Sequence, residues 1–224
     1  MARIQVFDVN ETLLDLGALD PHFAELFGDA AVRRTWFSLV LRNAMALTIT
    51  RDLSDFVSVA SASLRMIAAE RRVDLPDDAM PAIGDAIRNL PAHTDAVPGL
   101  TALRDAGFEL VALTNSPQAT ADAQLANAGL ASYFAGIMSV EATGKFKPAA
   151  EVYEMAAREL GVPTTSLRMV AAHDWDVAGA MRTGAAGALV TRPGTVANPL
   201  YPAPDVTGPD LMVVAQRIIA ADAS

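Results

Sequence analysis

Asp8 closes a short apolar run, Ile4-Gln5-Val6-Phe7, and is the first of four polar clusters that stand at the ends of such runs. The others are Thr114-Asn115-Ser116, Lys147-Pro148 and His173-Asp174-Trp175-Asp176. Between them they supply a carboxylate, a hydroxyl with an amide, a lysine and further carboxylates, the groups from which nucleophilic and acid–base sites are assembled. They lie far apart along the chain, so only the fold can bring them to one crevice.

The elements that could do so are legible from punctuation and periodicity. Apolar runs at Ile4–Phe7, Phe108–Leu113, Gly136–Val140, Leu167–Ala172 and Ala188–Thr191 read as strands. Between them, helical stretches at Pro98–Ala106, Gln118–Ala128, Ala149–Leu160 and Val177–Thr183 each end at a glycine, the usual helix stop. The alternation predicts βαβ units and an α/β fold with a doubly wound, mostly parallel, Rossmann-like sheet. A ligand then sits outside the carboxyl ends of the strands, where the four clusters fall.

From about Asp20 to Leu90 the rhythm breaks. Ala31–Ala46, Leu53–Arg71 and Asp77–Asn89 read as amphipathic helices with no strand between them. This predicts a helical cap, residues 16–91, inserted after the first strand and folded back over a core of residues 1–15 and 92–224.

Composition narrows the classes. With 224 residues, 52% hydrophobic and 19% charged, the chain can bury a sizeable core and is not disordered. Seventeen Lys and Arg against 26 Asp and Glu give a net charge of −9, which argues against nucleic acid as a partner. The absence of cysteine excludes disulfides, a thiolate nucleophile and sulfur-ligated zinc, and favours a reducing compartment. No signal-peptide pattern or membrane-length apolar run occurs, so the expectation is a soluble, cytoplasmic protein with no membrane partner.

In order and in type, the four clusters resemble the motifs of the haloacid dehalogenase superfamily. Phe7 to Leu13 is similar to the first motif, whose leading aspartate is a nucleophile; Leu113 to Ser116 matches the second and Lys147-Pro148 the third. Trp175 to Ala180 looks like the fourth motif of the type II 2-haloacid dehalogenases. Phosphatases of the superfamily carry an acid two residues after the nucleophile and another four before Asp176, for leaving-group protonation and Mg²⁺. Here those positions are Asn10 and Ala172, and an amide has no proton to give up as a general acid.

The resemblance therefore implies hydrolytic dehalogenation of a short 2-haloalkanoic acid, with water as co-substrate and neither metal nor other cofactor. Asp8 would displace the halide, Lys147 would keep Asp8 ionised, Thr12 and Thr114 would hydrogen-bond it or the substrate, and Asp176 would polarise the hydrolytic water. Asn115 would help receive the halide, with Tyr153 nearby and Phe56 and Trp175 as apolar walls. In the 2-haloacid enzymes an arginine follows a tryptophan on the first cap helix; after Trp36 this chain has Phe37. Arg33, Arg34, Arg42 or His173 stand as candidates for that duty, although Arg33 and Arg34 read more simply as a solvated helix face. His22 and His93 read as surface or loop residues. A homodimer is an arrangement common among such relatives. A Mg²⁺-dependent phosphatase and a turnover-deficient small-carboxylate binder are the alternatives left open.

Overall fold

The computed structural model describes residues 3–52 and 54–222. Six parallel strands form one sheet in the order β3-β2-β1-β4-β5-β6. They are β1 (Ile4–Phe7), β2 (Leu110–Thr114), β3 (Gly136–Ser139), β4 (Leu167–Ala171), β5 (Ala186–Val190) and β6 (Val206–Gly208). The central strands carry near-continuous apolar sequence because both faces are covered.

Glycines show which helix covers which face. A Cβ at Gly187 of β5 would stand 2.6 Å from Val177 and Met181, whereas one at Gly208 of β6 would meet Val213 and Val214 at 3.0–3.1 Å. The register pairs Leu189 with Thr207 and Val190 with Gly208, so Gly187 and Gly208 face opposite ways. Helix α8 (Asp174–Arg182) therefore packs on one face and α9 (Leu211–Asp222) on the other, with α5 (Ala96–Asp105) beside α9. This is the doubly wound arrangement.

Among the described residues, a 3-10 turn (Leu16–Leu19) and four α-helices lie between β1 and α5: α1 (Asp20–Phe27), α2 (Val32–Thr50), α3 (Phe56–Arg71) and α4 (Ala79–Arg88). α1 is not among the helices expected from the sequence, and the helix expected from Leu53, a residue outside the described ones, corresponds to α3. α3 begins instead at Phe56, because the Asp55 carboxylate accepts the Ser58 N–H at 2.8 Å and caps it. Trp36 of α2 donates its indole N–H to the Ala60 carbonyl of α3 at 3.0 Å, and α4 reaches α6 (Gln118–Asn127) beside the sheet. The remaining helix of the series, α7 (Ala150–Glu159), packs against α8.

β6 and α9 are absent from the sequence reading. β6 is three residues long, too short for a period to show. The buried Leu211, Val214, Ala215 and Ile218 of α9 do follow helical spacing, a signal that identifies the helix. α8 starts at Asp174 rather than Val177, and its first turn holds Asp174 and Asp176, acids that suit the positive end of a helix dipole. Among the described residues, no helix is long and apolar enough to cross a membrane.

Candidate active site

Asp8 continues β1 by one residue, its N–H bonded to the Val170 carbonyl of β4 at 3.0 Å. It thus emerges at the carboxyl end of the strand from which the sheet winds in both directions, the place where parallel sheets open a crevice. The turn that follows brings Thr12 back: its hydroxyl donates to Asp8 Oδ2 at 2.7 Å and accepts the Ala172 N–H at 2.8 Å. One hydroxyl thereby joins the ends of β1 and β4.

Lys147 arrives from the segment after β3. Its ammonium is 1% exposed and lies between two carboxylates, donating to Asp8 Oδ1 at 3.2 Å and Asp176 Oδ2 at 2.8 Å. The Lys147 backbone N–H donates to Asn115 Oδ1 at 3.0 Å. A backbone donor requires an oxygen opposite it, so the Asn115 amide is oriented and its Nδ2 group has no hydrogen-bond partner among the described residues. Tyr153, from α7, donates to Asp176 Oδ1 at 2.6 Å.

His173 bridges two acids. Nδ1 stands 3.2 Å from Asp8 Oδ2 and Nε2 stands 2.9 Å from Glu11 Oε2. Trp175 stacks on the imidazole with ring centres 5.1 Å apart, and Phe37 of α2 approaches it at 6.2 Å. Burial disfavours the imidazolium, yet the hydrogen bonds and charges of Asp8 and Glu11 outweigh it and push the His173 pKa up to about 10.

Burial alone would also raise the pKa of Asp8. The Lys147 charge, followed by His173 and Thr12, reverses that and holds Asp8 well below the usual carboxylate range. Asp176 goes the other way: burial raises it, the Asp8 charge adds to the rise, and Lys147 offsets only part. Two carboxylates thus share one lysine unequally, one firmly ionised and the other the more basic. Burial opposes the charge of Lys147, but the charges of Asp176 and Asp8 dominate and keep it protonated. Tyr153 stays a phenol, its pKa raised by burial and by the Asp176 charge.

Next to this cluster, though lined by none of Asp8, Lys147, Asp176 and His173, a cavity lies between α2–α4 and the sheet's carboxyl edge. Phe37, Val40, Phe56 and Ile87 form apolar walls, and Asn10 and Ser116 its polar end. An ionised carboxylate with a cation, a second and more basic carboxylate, and an adjoining apolar chamber can together perform nucleophilic displacement followed by hydrolysis.

Asp8, Thr12, Lys147, Asp176, Asn115 and His173 come together as the sequence places them. Several other expectations need correction. Thr114 accepts the Ser116 N–H at 3.1 Å and has no hydrogen bond to Asp8; of its two expected partners, Asp8 or the substrate, the structure removes only the first. Tyr153 is 2% exposed and lies behind Asp176, so it positions that acid and does not face a ligand. Asn10 borders the cavity, but its amide is committed, donating to Ser116 Oγ at 3.1 Å and accepting from Gln124 at 3.0 Å. Trp175 covers His173 and is not part of the cavity wall, whereas Phe56 is.

Arg33 is not solvated: it is 5% exposed, with Nε on Asp20 at 2.5 Å and a guanidinium nitrogen 3.4 Å from Glu11. Arg34 and Arg42 are exposed. Glu11 and Gln124 are site residues absent from the sequence-based candidates, and Ser116, part of the second polar cluster, has no role among them. Glu11 is signalled by its proximity to Asp8 and Ser116 by its place in that cluster. Asp174 accepts the N–H groups of Trp175 and Asn198, both at 2.8 Å, and Asp176 is held by Lys147 and Tyr153. This donor set does not fit a divalent cation, and among the described residues no group of three or more His, Asp or Glu side chains is arranged to hold one.

A family model described as haloacid dehalogenase-like hydrolase matches residues 3–183. The (S)-2-haloacid dehalogenase of Pseudomonas sp. strain YL is 25% identical over 201 residues, 89% of this chain and 87% of that enzyme. Among solved structures, L-2-haloacid dehalogenase RSc1362 superposes with a TM-score of 0.92 at 26% identity, covering 97% of this chain and 98% of that one. The L-2-haloacid dehalogenase of Xanthobacter autotrophicus gives 0.89 at 23% identity, with 96% and 98% covered.

Proposed function

The chain belongs to the haloacid dehalogenase-like hydrolases, and within that family we propose that it hydrolyses a short 2-haloalkanoic acid to the 2-hydroxy acid through an ester on Asp8, without metal. The observation that carries this reading is the pairing of an ionised Asp8 with a committed amide at Asn10. An oxygen leaving group needs a proton, and the residue two positions after the nucleophile has none to give. A halide leaves as a stable anion and needs only hydrogen-bond donors. The similar proteins named above are 2-haloacid dehalogenases, which supports the same substrate class.

In the first step an Asp8 carboxylate oxygen attacks C2, the carbon–halogen bond breaks, and its electron pair leaves with the halide. Asn115 Nδ2 is the amide donor available to receive that anion. Loss of the Asp8 charge frees Lys147 to bind Asp176 alone. In the second step Asp176, the more basic acid, takes a proton from a water that attacks the Asp8 carboxyl carbon. The ester oxygen leaves with the product and takes that proton from Asp176, while the second proton of the water passes to solvent, so Asp8 regains its carboxylate with one oxygen from water.

Residues 16–91 serve as the cap and residues 1–15 and 92–224 as the core in this reading, with the apolar cavity between them taking the halogen and the substituent on C2. Cytoplasmic location and a homodimer complete the proposal; sedimentation of the purified chain tests the latter.

The decisive experiment is a single turnover in ¹⁸O water with excess enzyme. Label should enter Asp8, read by mass spectrometry of its peptide, and Asp8→Asn should release no halide while keeping the parent circular dichroism. Label going straight to product would overturn the ester. Failure to release halide from chloro-, bromo- or fluoroacetate or either 2-chloropropionate, together with EDTA-sensitive phosphate release from simple esters, would replace the reading with the phosphatase one.

A further inference from the structure

Among the described residues, three other than glycine adopt positive φ: Glu11 at 63°, Arg51 at 61° and Arg72 at 57°. Arg51 and Arg72 close α2 and α3 as left-handed caps, their N–H groups turned back onto the last carbonyls, an ordinary helix ending. Glu11 ends no helix. It lies in the loop after β1, in backbone that glycine adopts freely and a residue with a Cβ only against steric resistance. Such a conformation persists where surrounding contacts over-determine it, and it clusters at functional sites.

The contacts of Glu11 account for it. Oε2 meets His173 Nε2 at 2.9 Å, Oε1 faces the Arg33 guanidinium at 3.4 Å, and the Glu11 N–H and carbonyl are fixed by Leu14 and His93. His173 has Asp8 on its other nitrogen. A ring with an ionised carboxylate on each nitrogen must carry both protons, since neither partner has one to donate. The charged groups that face the ring are Asp8 from the end of β1 and Glu11 from the loop. Phe37 of α2 and Trp175 of α8 flank it without charge, while Arg33 stands behind Glu11 and the Lys147–Asp176 pair behind Asp8. Asp8, His173, Glu11, Arg33 and Asp20 thus form an unbroken row of alternating charge from the strand tip to α1 and α2.

We propose that Glu11 is a positioning residue that holds His173 as an imidazolium against Asp8, supplying the cation that receives an anionic substrate where position 37 carries phenylalanine. The catalytic half of this statement rests on the dehalogenase reading. When Asp8 becomes an ester its charge disappears, and the Nδ1–H that lay on it is left to the departing halide or the substrate carboxylate. No proton moves in that step.

Glu11→Gly is the informative variant, because glycine suits the backbone at this position and the fold should survive. NMR titration of histidine-labelled full-length protein, with His22→Asn and His93→Asn for assignment, reads His173 without any need for activity. His173 should titrate near pH 10 in the parent, about 1–3 pH units lower in Glu11→Gly and between the two in Glu11→Gln. The alkaline limb of halide release should move down with it, and KM at pH 9 should rise about twofold for a shift of one pH unit and about tenfold for a shift of two, while kcat changes less. A His173 titration that moves by under about half a pH unit would overturn the positioning role. A moved titration with an unmoved alkaline limb would overturn its part in substrate reception. A parent enzyme that releases no halide would sink the dehalogenase reading, with the titration still deciding whether Glu11 holds His173 charged.

Discussion

Replacing Lys147 by methionine tests the centre of the site, because the side chain keeps nearly its length and loses only the charge. In the parent, one ammonium that is 1% exposed lies 3.2 Å from Asp8 and 2.8 Å from Asp176. Without it two buried carboxylates face each other, and breaking a buried ion pair by removing one partner costs about 3–5 kcal/mol. Such a pair cannot stay doubly ionised at modest cost, so one acid retains a proton. Its folded pKa then lies above its unfolded value of about 4. The sign follows: an acid raised on folding contributes most below its unfolded pKa and loses stability as pH rises toward the folded one. The penalty should therefore grow by about 1.4 kcal/mol per pH unit, making Lys147→Met roughly 3 kcal/mol worse relative to the parent at pH 7 than at pH 5. Urea unfolding at the two pH values measures this. Halide release at pH 7 should fall about a thousandfold or more, since Asp8 is no longer held by the lysine and Asp176, the more basic acid, keeps the proton and cannot serve as a base. A penalty under about 1 kcal/mol that ignores pH, or a rate within about tenfold of the parent, would refute the picture of one lysine compensating two acids.

Two further substitutions probe the supports. Thr12→Val removes the hydroxyl that donates to Asp8 at 2.7 Å and accepts from Ala172 at 2.8 Å; it should cost about 1–3 kcal/mol in thermal or urea unfolding and slow halide release about tenfold to a hundredfold, and an unchanged rate would show that Thr12 does not hold the nucleophile. In Gly179→Ala the new Cβ would stand 2.5 Å from Pro148 and 2.8 Å from the Tyr153 hydroxyl, displacing the donor to Asp176. It should destabilise by about 1–3 kcal/mol and slow the hydrolytic step, so that the ester accumulates as a mass increase on the chain. Gly99→Ala, whose Cβ would meet Leu211 at 2.6 Å far from the site, should destabilise similarly without that accumulation.

Much of the fold is legible because it depends on local signals. The apolar runs of β1, β2 and β4 and the glycines after the helices carry their own assignment, and Asp8 and Lys147 stand out by their place at the ends of such runs. Elements governed by a single side chain are not so legible: the start of α3 depends on the Asp55 cap, which moves it three residues from Leu53. Hydroxyl and amide residues are harder still. Thr12, Thr114, Asn10 and Asn115 are all plausible site donors by type, but each has several possible partners. Packing decides that Thr12 serves Asp8, Thr114 a backbone turn, Asn10 the Ser116–Gln124 pair, and Asn115 the backbone of Lys147.

By itself the sequence determines the α/β class, the position of the inserted helices, and the identity of the two acids and the lysine at the site, because periodicity, chain order and side-chain chemistry are properties of residues. Only the tertiary structure decides how charge is distributed among them. Asp8 and Asp176 are the same residue type on the same lysine and burial raises both, yet Lys147, His173 and Thr12 reverse that rise at Asp8 while the Asp8 charge adds to it at Asp176. Arg33 is solvent-facing by type and buried in fact, because Glu11 and Asp20, 22 and 13 residues before it, meet it in space. Electrostatic coupling depends on distance and desolvation, and neither exists until the chain has folded.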